Sequence, residues 1–255
     1  MANNTRKLEG KVAIITGASR GIGAAAAKRF AAEGACVVLA ARDEQALTAL
    51  AKEIVADGGT ALTAPTDVSD AGEVERLVQR TLETYGHLDA AFNNAGINTR
   101  MQPLVDTSLE DFNLTMNVNL VGTFLCMKYQ IPAMLANGGG TIVNMASTAG
   151  LRGVRNLGPY VAAKHGIIGL SKTAALDYAR QNIRVNVIAP GAILNDRIKA
   201  AGDQYIDQIN NSVPIHRIGQ PEEIAATAVW LCSDESSFVT GDVMLVDGGQ
   251  LAGVA

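Results

Sequence analysis

Tyr160 and Lys164 stand four residues apart in the stretch GPYVAAKHG, Gly158 to Gly166. On a helix that spacing stacks both side chains on one face, one turn apart. A free phenol, with a pKa of about 10, is a poor acid or base at neutral pH. A cation held nearby stabilises the phenolate and lowers that pKa by roughly 1–3 units. The pair therefore suits proton transfer at an oxygen atom. It also suits an ordinary helical surface, and the spacing alone does not separate the two.

The elements that must position the pair read as a regular alternation. Short apolar runs predict strands at KVAIITG (Lys11–Gly17), CVVLAAR (Cys36–Arg42), GTALTAPTDV (Gly59–Val68) and LDAAFNNAG (Leu88–Gly96). Three more follow at GTIVNMAS (Gly140–Ser147), IRVNVIAPG (Ile183–Gly191) and VMLVDGG (Val243–Gly249). Helical patterns lie between them. Asp43 is placed to cap the second, Ser69 or Asp70 opens the third, and one helical region spans Ser108 to Leu135. Pro159 suits the first turn of a helix running to Arg180. Nearly all-apolar strands alternating with helices predict a single α/β domain, residues 1–255. It would be a doubly wound (Rossmann) fold with a seven-stranded parallel sheet and helices on both faces. Ala192 to Gln220 is long for a connection and follows the C-terminal end of a strand. It is expected to form a lid over a binding site.

The first strand runs into TGASRGIG, Thr16 to Gly23. Gly17, Gly21 and Gly23 allow a sharp turn and close backbone approach, and a helix N-terminus follows. The arrangement predicts a pyrophosphate cradle, with a tight structural turn as the plainer reading. The absence of a G-K-[ST] ending disfavours a P-loop NTPase. At the end of the second strand stand Ala41, Arg42 and Asp43. An acidic side chain there serves a ribose hydroxyl of NAD, and an arginine serves the 2′-phosphate of NADP. With Arg20 nearby and Asp43 read as a helix cap, the sequence favours NADP(H) over NAD(H).

Bulk properties narrow the class. The chain has 255 residues, 48% hydrophobic, with a formal charge of −4 and a pI near 5.4, so a nucleic-acid surface is not expected. The N-terminus has no apolar signal core, and no apolar run reaches the roughly 18–20 residues that cross a bilayer. A cytoplasmic location is expected, with no membrane contact. Cys36, Cys126 and Cys232 are expected as buried free thiols, and the scattered His87, His165 and His216 predict no metal site.

With these motifs in place, the chain resembles the short-chain dehydrogenase/reductase family from about Leu8 to Gly249, in particular its NADP-preferring carbonyl reductases and 3-oxoacyl reductases. The resemblance implies cofactor contacts from Gly17, Ser19, Arg20, Gly21, Ile22 and Gly23, with Arg42 beyond. Asp67 and Val68 match its adenine contact, and Asn94, Ala95 and Gly96 lie in its NNAG element. Pro190 and Gly191 match the turn beside the nicotinamide, followed by Ile193 and Asn195. Asn195 stands where the family often has threonine. Asn119, Ser147, Tyr160 and Lys164 match the family's active-site set. The implied reaction is hydride transfer between nicotinamide C4 and a carbonyl or secondary alcohol. Tyr160 is then general acid or base, Lys164 its cation and a ribose contact, and Ser147 the oxyanion partner. The Asn119 carbonyl would hold a relay water. Structural roles for Ser147, as a turn residue, and for Asn119 stay open.

The pocket is expected from INTRMQP (Ile97–Pro103), TAGLRGVRNLG (Thr148–Gly158) and the 192–220 lid. A moderately apolar ketone is favoured, with a carrier-bound 3-oxoacyl thioester as the alternative, for which Arg180 and Arg184 are candidate contacts. A non-catalytic nucleotide sensor is the rival class. The apolar faces of Phe112–Leu135 and Pro159–Arg180 predict subunit contacts, and the resemblance implies a homotetramer.

Overall fold

A computed structural model describes residues 6–98 and 100–253. Thr99, within one stretch expected to line the pocket, lies outside the described residues. The strands are β1 (Val12–Thr16), β2 (Cys36–Ala41), β3 (Thr60–Pro65), β4 (Ala90–Asn93), β5 (Gly140–Met145), β6 (Ile183–Pro190) and β7 (Val243–Val246). They pair in parallel as one sheet, in the order β3-β2-β1-β4-β5-β6-β7. The order reverses between β1 and β4, which opens a crevice at their C-terminal ends.

The sheet is covered on both faces, as its apolar strands require. Side chains alternate between two cores. Ala13, Ile15, Val37 and Leu39 face a cluster completed by α1 (Gly21–Ala32), α2 (Glu44–Ala56) and α9 (Pro221–Cys232). Ile14, Val38, Ala40 and Ile142 face the opposite cluster, which draws on α3 (Ala71–Tyr85), α5 (Gly122–Ala136) and α6 (Gly158–Tyr178). The alanines of α1 let it lie close against α9.

The helix ends follow local chemistry. Asp43 accepts from Ala46 N at 3.0 Å and caps α2, as expected. Asp70, rather than Ser69, caps α3 by accepting from Glu73 N at 2.9 Å. The region expected as one helix from Ser108 is divided. It consists of α4 (Leu109–Met116), a π turn at Asn117–Val121, and α5. The 192–220 segment contains α7 (Asp196–Ala200) and α8 (Asp203–Ser212). Its two limbs meet at a neck, where Leu194 N donates to Gly219 O at 2.8 Å and Gly219 N to Ala192 O at 2.9 Å. Arg217 then forks onto Glu223 at 2.7 and 2.8 Å.

Two expectations are corrected. Cys36, at the start of β2, is only partly buried, whereas Cys126 and Cys232 are buried. Arg184 is no free docking contact. Its guanidinium donates to the carbonyls of Val239, Leu231 and Ser233, at the sheet end opposite the crevice. The three carbonyls lie in the connection between α9 and β7 and at the end of α9, and they converge on the guanidinium. Among the described residues, no helix is long and apolar enough to cross a membrane.

Candidate active site

The crevice between β1 and β4 is built first by backbone. Gly17 and Gly21 have φ of +66° and +55°, values costly for other residues. A Cβ at Gly23 would lie 2.0 Å from the Gly17 carbonyl oxygen, so only glycine lets α1 start this close to the loop. Arg20, the N-cap residue of α1, makes no side-chain cap, and the first turn carries no acid. Backbone N–H groups and positive potential are thus available to an anion. Ser19 and Ile22 lie in the same turn. The loop's shape and chemistry fit a dinucleotide pyrophosphate.

The loop is pinned from β4. Thr16, buried at the end of β1, accepts at Oγ1 from both Asn94 N and Ala95 N at 3.0 Å. Asn94 Nδ2 donates back to Thr16 O at 3.1 Å. Thr16 escaped notice in the sequence, although a polar residue ending a run of valine, alanine and isoleucine is a signal of a required hydrogen bond.

At the adjacent strand ends, Arg42 is exposed, with its guanidinium 4.0 Å from the Asp67 carboxylate. Burial pushes the Asp67 carboxyl up, but hydrogen bonds from Ser69 and the Arg42 charge prevail and hold it below its ordinary value. Asp43 is occupied as a helix cap. Val68 packs where a Cβ on Gly122 would fall 2.8 Å from its Cγ2, so the crevice has a close-packed floor on this side.

Tyr160 and Lys164 both lie on α6. Lys164 is 3% exposed, and its Nζ donates to Met145 O at 2.8 Å while standing 5.5 Å from the centre of the Tyr160 ring. Burial pushes the lysine down to about 8. The expected lowering of Tyr160 is reversed in the isolated protein. Burial raises the phenol above its ordinary value, with a hydrogen bond from Ser147 pulling the other way. A low-dielectric site disfavours phenolate, and the Lys164 charge is itself disfavoured there and directed at a carbonyl.

Met145 ends β5, and Ser147 follows two residues later. Its Oγ accepts from Ala149 N at 3.2 Å and so caps the 3₁₀ turn Thr148–Gly150. The turn-residue reading of Ser147 is therefore realised, at a place beside Tyr160.

Asn119 is fully buried in the π turn. Its side chain accepts from Ile97 N at 3.0 Å and donates to Ile97 O and Thr115 O at 3.1 and 3.0 Å. Its carbonyl accepts from Thr123 Oγ1 at 2.8 Å. A Cβ on Gly96 would come within 2.6 Å of Asn119 Oδ1 and 3.7 Å of Lys164 Nζ. Gly96 thus keeps open the space between asparagine and lysine.

On the far side, Gly191 N donates to Val246 O at 3.1 Å, and a Cβ there would meet Asp247 Cα at 2.9 Å. Pro190 ends β6, and Ile193 is buried beside Gly219 at the neck of the 192–220 segment. Asn195 is committed elsewhere. Its Oδ1 accepts from Ile198 N at 3.0 Å to cap α7, and its Nδ2 donates to Ile193 O at 3.2 Å. A short polar residue before a helix is a cap signal that the sequence reading passed over.

The site's chemistry matches its kinship. Residues 17–250 fit the family model described as enoyl-(acyl carrier protein) reductase. The chain is 45% identical over 246 residues to a 2,5-dichloro-2,5-cyclohexadiene-1,4-diol dehydrogenase of Sphingobium indicum, covering 95% of this chain and 97% of that protein. It is 42% identical over 244 residues to a cyclohexanol dehydrogenase of an Acinetobacter species, covering 96% of each. The crystal structure of levodione reductase superposes with a TM-score of 0.93 at 37% identity, covering 97% of this chain and all of that one.

Proposed function

The chain belongs to the short-chain dehydrogenase/reductase family, a family of oxidoreductases that use NAD(P), and from that premise we propose that it interconverts a ring ketone and its secondary alcohol with NADP(H). The observation that carries the reading is the junction of Lys164, Met145 O, Ser147 and Tyr160 at the end of β5. Bound NADP(H) supplies the hydride chemistry.

The chain's own residues manage the proton. Tyr160 Oη gives a proton to the substrate oxygen in reduction and takes it back in oxidation. Its raised pKa keeps that proton in place until a more basic oxygen forms beside it. The Ser147 hydroxyl holds the oxygen as charge develops. Lys164 favours the phenolate once Tyr160 has given its proton, and it contributes to the ribose contact. Asn119 lends its carbonyl to proton relay, in exchange with Thr123.

The glycine loop, Asn94, Ala95, Gly96, Pro190, Gly191, Ile193 and the adenine floor at Asp67 and Val68 form the cofactor side. Asn195 joins them only by releasing its cap. The commitment of Asp43 to α2, with Arg42 and Arg20 exposed, supports NADP(H). The names of the six-membered-ring relatives support a ring substrate. Residues 1–255 act as one catalytic unit under the 192–220 lid, in the cytoplasm. Exposed Leu109, Leu114, Phe124 and Leu176 on α4, α5 and α6 support a homotetramer. The family description favours a carrier-bound thioester as second substrate class, whereas the commitment of Arg184 speaks against it.

The test follows nicotinamide absorbance with cyclic ketones, open-chain ketones and a 3-oxoacyl thioester, using NADPH and NADH. Cyclic ketones with NADPH should react fastest. No oxidation of either cofactor with any ketone would sink the proposal, and tighter NADH would sink its cofactor half.

A further inference from the structure

Four buried polar side chains cross the sheet on the α5 and α6 side, where the surrounding cluster is apolar. Asn93 and Asn144 are register partners at the ends of β4 and β5. Gln130 lies on α5 and Ser171 on α6, and all four are 2% exposed or less. Gln130 and Asn93 form a reciprocal amide pair, with Gln130 Nε2 donating to Asn93 Oδ1 at 2.9 Å and Asn93 Nδ2 donating to Gln130 Oε1 at 3.0 Å. Asn93 Nδ2 also donates to Asn144 Oδ1 at 2.9 Å. Asn144 Nδ2 donates to Ser171 Oγ at 2.9 Å and lies 3.2 Å from Met127 Sδ. Ser171 Oγ donates to Ile167 O at 2.6 Å.

Every side-chain polar atom of these four residues has a partner, and turning any one amide would set donor against donor or acceptor against acceptor. A fully satisfied network in an apolar core has one arrangement, so it defines the relative placement of the four elements that carry it. Those elements lead directly to the site. One residue beyond Asn93 is Asn94, which pins the glycine loop, and Gly96 lies between Asn119 and Lys164. One residue beyond Asn144 is Met145, whose carbonyl receives Lys164 Nζ. Ser171 is two turns after Lys164 on the same helix, and the π turn of Asn119 runs straight into the helix of Gln130.

We propose that Gln130 is a positioning residue for the reaction, acting through Asn93 and Asn144 to set Lys164 and its carbonyl partner against the cofactor crevice. The proposal rests on the oxidoreductase reading of the site. It touches neither substrate nor cofactor, and it assigns a role to a helix residue outside the active-site set.

Gln130→Glu makes the test specific. A protonated carboxyl can still donate to Asn93 Oδ1 and accept from Asn93 Nδ2, whereas an ionised one offers Oδ1 no hydrogen. Cys126, one turn earlier on α5, is held at about 12 by burial and stays neutral meanwhile. In the intact enzyme, kcat of Gln130→Glu relative to the unaltered protein should fall about tenfold as pH rises through the titration of the new carboxyl, with KM for the cofactor within about twofold. Gln130→Met should lose about tenfold in kcat at every pH. Should Gln130→Met fail to fold, Ser171→Ala, which removes only the last hydroxyl, replaces it, with a loss of about threefold expected. Backbone hydrogen exchange at 94–97 and 145–147, measured without substrate, should quicken in each altered protein while β2 stays protected. A pH-independent ratio for Gln130→Glu, or unchanged exchange at both segments, overturns the proposal. An unaltered protein without turnover whose exchange still responds in the variants sinks the functional reading instead, and leaves the positional link standing.

Discussion

The glycine loop and the 192–220 segment, proposed above as a lid, both follow the C-terminal ends of strands, yet they are held by different means. The loop is constrained by sterics of the main chain. A Cβ at Gly23 has no space, and Thr16 and Asn94 tie the turn to β4 through part-buried bonds of 3.0 and 3.1 Å. The 192–220 segment is held by a two-limbed neck, an exposed Arg217–Glu223 fork, the bond from Ile215 N to Gly248 O and the buried Val213 and Ile218, whereas α7 and α8 within it contain no buried residue. Rigid backbone suits the part of the ligand that never varies. A lightly fastened flap suits the part that enters and leaves.

The largest effect should come where the rigid side meets chemistry. Tyr160→Phe should lower turnover by about 10²–10⁴ while NADPH affinity stays within about twofold. Stopped-flow turnover and fluorescence titration check the two halves. Turnover like that of the unaltered protein would remove Tyr160 from the mechanism.

Next is the loop itself. Gly23→Val should weaken NADPH binding by about 100-fold or prevent folding, since its Cβ meets backbone rather than a movable side chain. Calorimetry reads the first outcome and thermal melting the second. Near-normal affinity would show that the loop is less rigid than the lid.

Lys164 tests the cost of holding a charge on the rigid side. Its folded pKa of about 8 lies below the unfolded value near 10.5, so the unfolded state binds more protons between them. The destabilisation is fully present below about pH 8 and is relieved as pH rises toward 10.5. Lys164→Met should therefore stabilise the fold at neutral pH by roughly 2 kcal/mol, the relieved cost less the lost bond to Met145. That gain should vanish by about pH 10 while activity is lost throughout. Urea melts at the two pH values decide it, and a gain independent of pH would contradict the assignment.

Arg42→Ala should weaken NADPH by about tenfold and leave NADH unchanged, the difference expected for one lost charged contact. The smallest effect belongs to the lid. Glu223→Gln should raise substrate KM by about threefold or less with kcat unchanged, because an exposed ion pair contributes little. The fork and the Gln220 N–H hold the Glu223 carboxyl down at about 2. Its contribution is present above the unfolded value near 4.5 and is lost as pH falls toward 2. The lid's fastening should therefore be insensitive to pH across the working range, which the KM of the unaltered protein between pH 6 and 8 tests directly.

The same contrast explains what could be read from sequence. All seven strands and the glycine turn were legible because burial on both faces and positive φ each leave a local mark in residue type. Asp43 as a cap was legible for the same reason. The helices of the 192–220 segment were not, because α7 has only five residues and α8, although Tyr205, Ile206 and Ile209 share one face, has only ten and buries none of them. Tyr160 was singled out by its spacing to Lys164 together with the family resemblance, but the direction of its pKa was not legible, since burial is a property of the packed site rather than of a four-residue interval. The roles of Gln130, Asn144 and Arg184 stayed hidden because their hydrogen-bond partners lie far along the chain, 37 residues from Gln130, 27 and 51 from Asn144 and 47 to 55 from Arg184. Only a polar residue inside an apolar run hinted at them.

The π turn at Asn117–Val121 has a consequence for how this chain can change length. A π turn accommodates one residue more than an ordinary helical turn, and about 100° of rotation separates neighbours on a helix. Deleting a single residue there would let the helix close up into ordinary turns and leave Gly122 onward in phase with the rest of α5. What would be lost is the placement of Asn119, whose side chain is held by Ile97 and Thr115. The extra residue thus serves the site rather than the fold, and its removal should leave a folded protein with Asn119 displaced.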